Sequence, residues 1–353
     1  MTSIAKPPVR HPNSRTNALG LTIRDYEGTM STLCAGCGHD SVTAALIQAA
    51  WDLDIEPHRA AKMSGIGCSS KTTAYFMKQS HGFNSVHGRM PSVTTGAAAA
   101  NRALTYIGIS GDGDSLSIGL GQLGHAIRRN VNMIYVLENN GVYGLTKGQF
   151  SASADIGSLS KRGEPNEQPP IDPVLLALTL GATFVARSFS GDKKQLVPIL
   201  KAALLHKGFA LIDVISPCVS FNDHEGSTKS YIYTRQHDVE VVQMDFVTLG
   251  RAGQTPPMPV DESIREVSLA DGSMLTLRAT DDDYDPTDRN SAYQHVRVCQ
   301  SRGEVATGLL FVEENGREMH DLLKTPETPL VDIPFDQLCP GGAAMDKLMQ
   351  RFR

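Results

Sequence analysis

Residues 104–142 read LTYIGISGDGDSLSIGLGQLGHAIRRNVNMIYVLENNGV. Two runs in this stretch, Leu104–Ser110 and Val131–Leu137, are largely apolar and do not alternate between polar and apolar. Between them Leu116, Leu120, Leu123 and Ile127 recur at the spacing of one helix face. A strand buried on both faces, a covering helix and a second such strand make the unit of a parallel sheet with helices on both sides. Each strand runs into a polar, glycine-containing loop, Gly111–Asp114 after the first and Glu138–Gly141 after the second. In such sheets the loops at the carboxyl ends of the strands share one edge, and that edge binds ligands.

The same rhythm extends in both directions. Val42, Leu46, Ala49 and Leu53 mark a helix that Asp40 is placed to cap. Further on, Pro173–Leu180 reads as helix, Thr183–Ala186 as a short strand, Lys193–His206 as helix despite Pro198, and Phe209–Ile215 as strand. That last strand leads into Ser216-Pro217-Cys218, on the same edge as Gly65–Ser69. Residues 150–170 form a polar loop long enough to suggest a working role. The chain divides into a Pro- and Arg-containing tail (1–24), an α/β domain (25–240) and an extension (241–353) expected to pack on the core or on a partner. The extension holds Pro256-Pro257, a hairpin-like Asp271-Gly272 and the acidic run Asp281-Asp282-Asp283, which reads as a solvated loop without chemistry.

Composition narrows the function classes. The 353 residues are 41% hydrophobic and carry 33 Lys and Arg against 38 Asp and Glu, a formal net charge of −5. A mildly acidic chain is a poor general binder of nucleic acid. No apolar run approaches the roughly 20 residues of a membrane span, and the first residues have no apolar core of a signal peptide. The expectation is a soluble, cytoplasmic protein with no nucleic-acid or membrane partner.

Asp112 and Asn140 offer hard oxygen donors on neighbouring strand ends, suited to Mg²⁺ or Ca²⁺. Gly111 and Gly113 allow close backbone approach, and the helix starting near Ser115 presents amides to a phosphate. Together they suit a Mg²⁺-bridged diphosphate; the plainer alternative is a tight turn with Asp112 as helix cap. Of six cysteines, Cys34, Cys37, Cys68 and Cys218 fall on this edge, while Cys299 and Cys339 belong to no pattern. A CxxC pair alone fits redox, zinc or iron–sulfur chemistry. Two further ligands arriving singly from distant loops favour a [4Fe–4S] cluster, with zinc still open.

The spacing from GDG at 111–113 to NN at 139–140 resembles the thiamine-diphosphate fingerprint. Combined with the cysteines, the chain resembles the β subunit of 2-oxoacid:ferredoxin oxidoreductases. The motifs that carry this are Leu33–His39 (LCAGCGH), Ser64–Lys71 (SGIGCSSK), His87–Arg89 (HGR), Thr95-Gly96, Gly111–Gly119 (GDGDSLSIG), Asn139–Gln149 (NNGVYGLTKGQ) and Ser216–Val219 (SPCV). Asp285–Arg289 (DPTDR) and Leu338–Gly341 (LCPG) resemble the longer subunits of a 2-oxoglutarate branch. The resemblance implies a thiamine-diphosphate-binding fold of mostly parallel sheet, with Asp112, the Asn140 side chain and the Val142 carbonyl on Mg²⁺. It places Ile66, Gly67, Cys68, Ser69, His87, Gly111, Gly113, Asp114, Gly144, Leu145 and Thr146 against thiamine diphosphate. It also gives Cys34, Cys37, Cys68 and Cys218 to a [4Fe–4S] cluster.

Lys71, three residues after Cys68, is expected to meet the distal carboxylate of 2-oxoglutarate, with a solvated surface lysine as the alternative. His39 and Arg89 complete the candidate catalytic set, although His39 and His87 taken singly would read as packed histidines. The implied reaction is the CoA-dependent oxidative decarboxylation of 2-oxoglutarate to succinyl-CoA and CO₂, with two electrons to ferredoxin, reversible in principle. Pyruvate or a broad 2-oxoacid range is the alternative substrate. A non-oxidative thiamine-diphosphate lyase and a zinc-stabilised binding module are the rival functions. One such domain lacks the glutamate that meets the aminopyrimidine ring, so an α subunit is expected to supply it in an αβ or (αβ)₂ assembly.

Overall fold

In the computed structural model, residues 11, 13–160, 163–247, 264–280, 284–314, 316–339 and 341–352 are described. The described residues form twelve strands: β1 (Ala60–Ser64), β2 (His81–Asn84), β3 (Thr105–Gly111), β4 (Met133–Asn139), β5 (Val142–Tyr143), β6 (Gln149–Phe150), β7 (Phe184–Phe189), β8 (Phe209–Ile215), β9 (Asp238–Val247), β10 (Ile264–Ser268), β11 (Met274–Ala279) and β12 (Val305–Val312). Ten of them form one sheet in the order β10-β11-β9-β12-β7-β8-β4-β3-β1-β2, while β5 and β6 pair as a short antiparallel ribbon. From β2 to β7 every pairing is parallel. All residues of β4, β7 and β8 are buried, as continuous apolar character requires of strands covered on both faces.

The main helices are α1 (Gly38–Asp52), α2 (Met90–Ala100), α3 (Leu120–Arg128), α4 (Pro173–Leu180), α5 (Lys193–Leu205), α6 (Tyr231–His237) and α7 (Arg289–Ser301). α1 packs on α5, and α2, α3, α4 and α7 pack in a row, giving a layer on each side of the sheet. The core runs between these layers and includes Leu46, Ile107, Tyr135, Phe184 and Phe209.

Several boundaries differ from the expectation. The cap of α1 is Cys37, and Asp40 lies inside the first turn. β4 runs two residues past the apolar stretch, because Glu138 and Asn139 keep the ladder to β8 and are buried with partners. β7 likewise continues through Arg187 and Ser188, which are buried by Asp172, Asp213 and Gln195. Between Gly111 and α3 the chain makes a π-helical turn, Gly113–Ile118, before the regular helix begins.

The division at 240/241 falls inside β9, and the same sheet is extended by β12, which pairs with β7, and by β9, which pairs with β12. Residues 241–312 therefore contribute strands to the sheet as well as packing on it. Asp271-Gly272 does turn the β10–β11 hairpin. Pro256-Pro257 and Asp281-Asp282-Asp283 lie outside the described residues. At the other end, the described part of the tail docks on α1 through Asn17, whose Nδ2 donates to the Tyr26 hydroxyl at 2.9 Å and the Trp51 carbonyl at 3.3 Å.

Candidate active site

The carboxyl ends of β1, β3, β4 and β8 bring the four loops together. Asp112 follows β3 directly and is buried. Its Oδ2 accepts hydrogen bonds from the Gly141 amide at 2.9 Å and from the hydroxyls of Ser151 and Ser153, the latter at 2.6 Å. Burial raises the Asp112 carboxyl above its ordinary value, against the pull of these donors. Asn140 stands beside it, its Oδ1 accepting from the Val142 amide at 3.1 Å. A carboxylate, an amide oxygen and the Val142 carbonyl on two adjacent loops are the hard-oxygen donor set that Mg²⁺ takes. Sequence reading missed Ser151 and Ser153, although it marked their loop by its length.

Asp114 lines the cleft and also ties the segments around it together. Its Oδ1 accepts from the Gly88 amide at 2.7 Å, the Ile66 amide at 3.3 Å and His87 Nδ1, and its Oδ2 from the Ser110 hydroxyl at 2.7 Å. Both oxygens are thus committed to tying the Gly65–Ser69 loop, the His87-Gly88 loop and the strand end together. A Cβ on Gly65 would stand 1.9 Å from Asp114 Oδ2, so only glycine permits this approach.

One cleft of about 80 Å³ is lined by Ile66, Gly67, Cys68, Ser69, His87, Gly111, Gly113, Asp114, Gly144, Leu145 and Thr146, with Asp112, Asn140 and Val142. These are the residues the sequence placed against cofactor and metal. Tyr143, not anticipated, also lines it and donates from its hydroxyl to the Gly113 carbonyl at 3.1 Å.

The three candidate catalytic residues separate. His39 lines the cleft but is buried, its Nδ1 2.6 Å from Ser216 Oγ, and burial lowers its pKa to about 4, which keeps the ring neutral. Lys71 is half-buried on the short helix Ser69–Ala74, outside the cleft wall, where its charge acts on the Cys68 thiol. Arg89 is exposed at the start of α2 and also stands outside the wall.

The four cysteines converge beside this cleft. A Cβ on Gly144 would lie 3.4 Å from Cys68 Sγ and 3.7 Å from Cys218 Sγ, ordinary contact distances that place both thiols against this glycine. Ser220 Oγ lies 3.4 Å from Cys34 Sγ, and the Gly38 amide donates to the Pro217 carbonyl at 3.3 Å, docking the CxxC turn on the SPCV loop. Burial pushes Cys37 up to about 12 and raises Cys68 and Cys218, and the thiols raise one another further. Among the described residues no three His, Cys, Asp or Glu side chains gather tightly enough to hold a single ion. Cys299 is buried and Cys339 exposed, both away from the site.

Fold and site together define a thiamine-diphosphate-binding domain. The family model for the thiamine pyrophosphate enzyme C-terminal TPP binding domain matches residues 65–214. The 2-oxoacid:ferredoxin oxidoreductase subunit beta of Saccharolobus solfataricus is 41% identical over 213 residues, 60% of this chain and 68% of that one. The 2-oxoglutarate oxidoreductase subunit KorB of Mycobacterium tuberculosis is 40% identical over 54% of this chain and 51% of its own length. A solved 2-oxoglutarate:ferredoxin oxidoreductase from Magnetococcus marinus, with 2-oxoglutarate, coenzyme A and succinyl-CoA bound, superposes with a TM-score of 0.69. It is 30% identical and covers 86% of this chain and 89% of that one. The chain belongs to the β subunits of 2-oxoacid:ferredoxin oxidoreductases. Among the described residues no helix is long and apolar enough to cross a membrane.

Proposed function

We propose that this chain is the β subunit of a 2-oxoglutarate:ferredoxin oxidoreductase that holds thiamine diphosphate through Mg²⁺ and one [4Fe–4S] cluster. The observation that carries the proposal is that the Asp112–Asn140 donor pair and Cys68 line one cleft, with Cys218 beside Cys68 at Gly144 and Cys34 against Ser220 of the Cys218 loop. Thiamine diphosphate, when bound, supplies the electron sink for decarboxylation. Asp112, Asn140 and the Val142 carbonyl would hold its Mg²⁺, with Ser151 and Ser153 fixing the Asp112 carboxylate from behind.

Zinc at Cys34, Cys37, Cys68 and Cys218 would need four thiolates about 2.3 Å from one point. A cubane needs a wider set, since each thiolate takes its own iron. Two of the four thiols arrive singly from loops far apart in the sequence, which supports the cluster. A cluster at the cofactor edge also sets this reading apart from a non-oxidative lyase.

The substrate follows from the Mycobacterium relative and the Magnetococcus structure, both of which carry 2-oxoglutarate in their names. Lys71 remains the residue of this chain proposed to read the distal carboxylate. It is half-buried on the short helix that follows Cys68, its amide donating to the Cys68 carbonyl at 3.1 Å.

A partner α subunit is part of the proposal. The cleft of about 80 Å³ is far smaller than the roughly 300–1,000 Å³ of a complete small-molecule pocket, which fits one wall of a shared site. Ile66, Phe83, Val86, Ile118 and Leu145, carried by the same loops, leave apolar side chains exposed around it. Val331, Phe335 and Phe352 near the C-terminus are exposed as well, and suit the same partner.

The test is the complex reconstituted with its α subunit, assayed for CoA-dependent reduction of ferredoxin on a panel of 2-oxoacids. Iron content and the visible absorbance that dithionite bleaches are measured alongside. Turnover of 2-oxoglutarate above pyruvate, lost in Lys71→Ile, is the expected result. Full activity of the isolated chain, or zinc in place of iron, would overturn the proposal.

A further inference from the structure

Glu138 lies near the end of β4, two residues before Asn140, and is 0% exposed. The strand residues before it, Tyr135, Val136 and Leu137, are apolar and equally buried. No lysine or arginine pairs with the Glu138 carboxyl among the described residues. Thr72 Oγ1 donates to it instead, lying 3.2 Å from Oε1 and 3.1 Å from Oε2. His39 Nδ1 stands 3.5 Å from Oε2 and 2.6 Å from Ser216 Oγ. The result is a buried polar chain, Thr72–Glu138–His39–Ser216, in a region where an apolar side chain would fill the volume without linking anything.

The positions of its members give it meaning. Thr72 lies four residues after Cys68, His39 two after Cys37, Ser216 two before Cys218 and Glu138 two before Asn140. One network therefore touches three of the cysteine loops and the Mg²⁺ loop. We propose that Glu138 is a positioning residue whose contacts with Thr72 and His39 fix the iron–sulfur loops against the diphosphate loop, and so govern the cluster's reduction potential and the affinity for thiamine diphosphate together.

The proposal rests on the cluster reading above. Reduction potentials of such clusters respond to hydrogen bonding, solvent access and local charge around the sulfurs. A brace that holds both sites has to move both when it is cut.

The experiment uses the assembled complex with its α subunit. Thr72→Val removes the hydroxyl with little change of shape, and Glu138→Ala removes the hub. Thr72→Ser and Glu138→Gln keep hydrogen-bonding groups in place. The readouts are the cluster midpoint potential from an EPR-monitored redox titration and the thiamine diphosphate Kd at saturating Mg²⁺. Thr72→Val and Glu138→Ala are expected to shift the potential, alter the EPR signal of the reduced cluster and raise the Kd about tenfold, the size of one lost buried hydrogen bond. Thr72→Ser and Glu138→Gln are expected to restore both. If Glu138→Ala does not fold, the isosteric Thr72→Val carries the test. Full iron with a wild-type potential in the Val variant would overturn the brace, as would a Kd that moves while the potential stays. A wild-type complex without iron would overturn the cluster reading, and the brace with it.

Discussion

The geometry at Gly65 permits one substitution to be followed through in detail. Gly65 does not occupy the left-handed region, so alanine meets no backbone penalty there, and the whole cost of Gly65→Ala comes from its new Cβ. That atom would stand 1.9 Å from Asp114 Oδ2 and 2.6 Å from its Cγ, and the carboxylate has to swing away. It is not free to do so cheaply, because it accepts from Ser110, Gly88, Ile66 and His87. Hydrogen bonds to a charged group contribute about 1.5–3 kcal/mol each, and breaking two of them predicts a destabilisation of about 3–5 kcal/mol after partial relaxation. At roughly 2 °C per kcal/mol for a chain of this size, Tm falls by about 6–10 °C. Differential scanning calorimetry of the assembled complex measures it, at one scan rate for all variants. The decisive control is Gly65→Ala in an Asp114→Ala background, where the clashing carboxylate is gone. There the alanine is expected to cost less than about 1 kcal/mol, a coupling well above the usual additivity error of about 0.5 kcal/mol. Equal losses in both backgrounds would refute the argument that Gly65 exists to admit Asp114.

Three other outcomes follow from the same contacts. Ser153→Ala takes away one of the hydroxyls that hold the Asp112 carboxylate, and the Mg²⁺ concentration needed for half-maximal thiamine diphosphate binding should rise about tenfold; an unchanged Mg²⁺ titration would count against Asp112 as the metal ligand. Arg187→Met strips the cation from Asp172, held at 2.8 Å by Nη2, and from Asp213, held at 2.7 Å by Nε, and leaving two buried carboxylates unpaired should cost about 3–5 kcal/mol in thermal or urea unfolding. His206 is buried against Thr183 and its pKa is lowered to about 4, below the ordinary value of 6.5. The unfolded chain therefore binds more protons in that window, so stability is full above about pH 6.5 and declines as pH falls towards 4, by up to about 1.4 kcal/mol per pH unit for this residue; His206→Gln should flatten the slope measured by urea unfolding at pH 7, 6 and 5.

How much of this was legible in the sequence depends on what kind of signal each residue leaves. Strands β3, β4 and β8 announce themselves as unbroken apolar runs, and the residues at their ends follow from the rule that ligands gather at the carboxyl edge. The four cysteines were found because thiols are few and their loops share that edge. The roles of individual side chains were harder to read. Asp112 and Asp114 look alike in GDGD, yet the first accepts from Gly141 and Ser153 and the second ties two loops to the end of β3, a difference set by which segments pack against each carboxylate. Lys71 and Arg89 sit in motifs beside cleft residues but do not line the cleft themselves, a difference that motif membership alone does not carry. The extension read as an element packing on the core or a partner because β9 to β11 mix exposed and buried positions, and only the pairing of β12 with β7 and β9 shows that it continues the sheet.

The residues that left no signal share a property. Ser151, Ser153, Thr72 and Glu138 act on Asp112, on each other or on His39, and hold nothing themselves. A ligand has to be of a certain chemical type, and that type can be read from one chain. A supporting residue needs only a donor or acceptor at the right distance, which serines, threonines and a buried acid supply without any recurrent spacing. The site therefore divides into a layer that chemistry dictates and a layer that only the folded geometry defines. The second layer is where a substitution in this chain can change potential, affinity or metal requirement while leaving its four edge cysteines and its GDG turn in place.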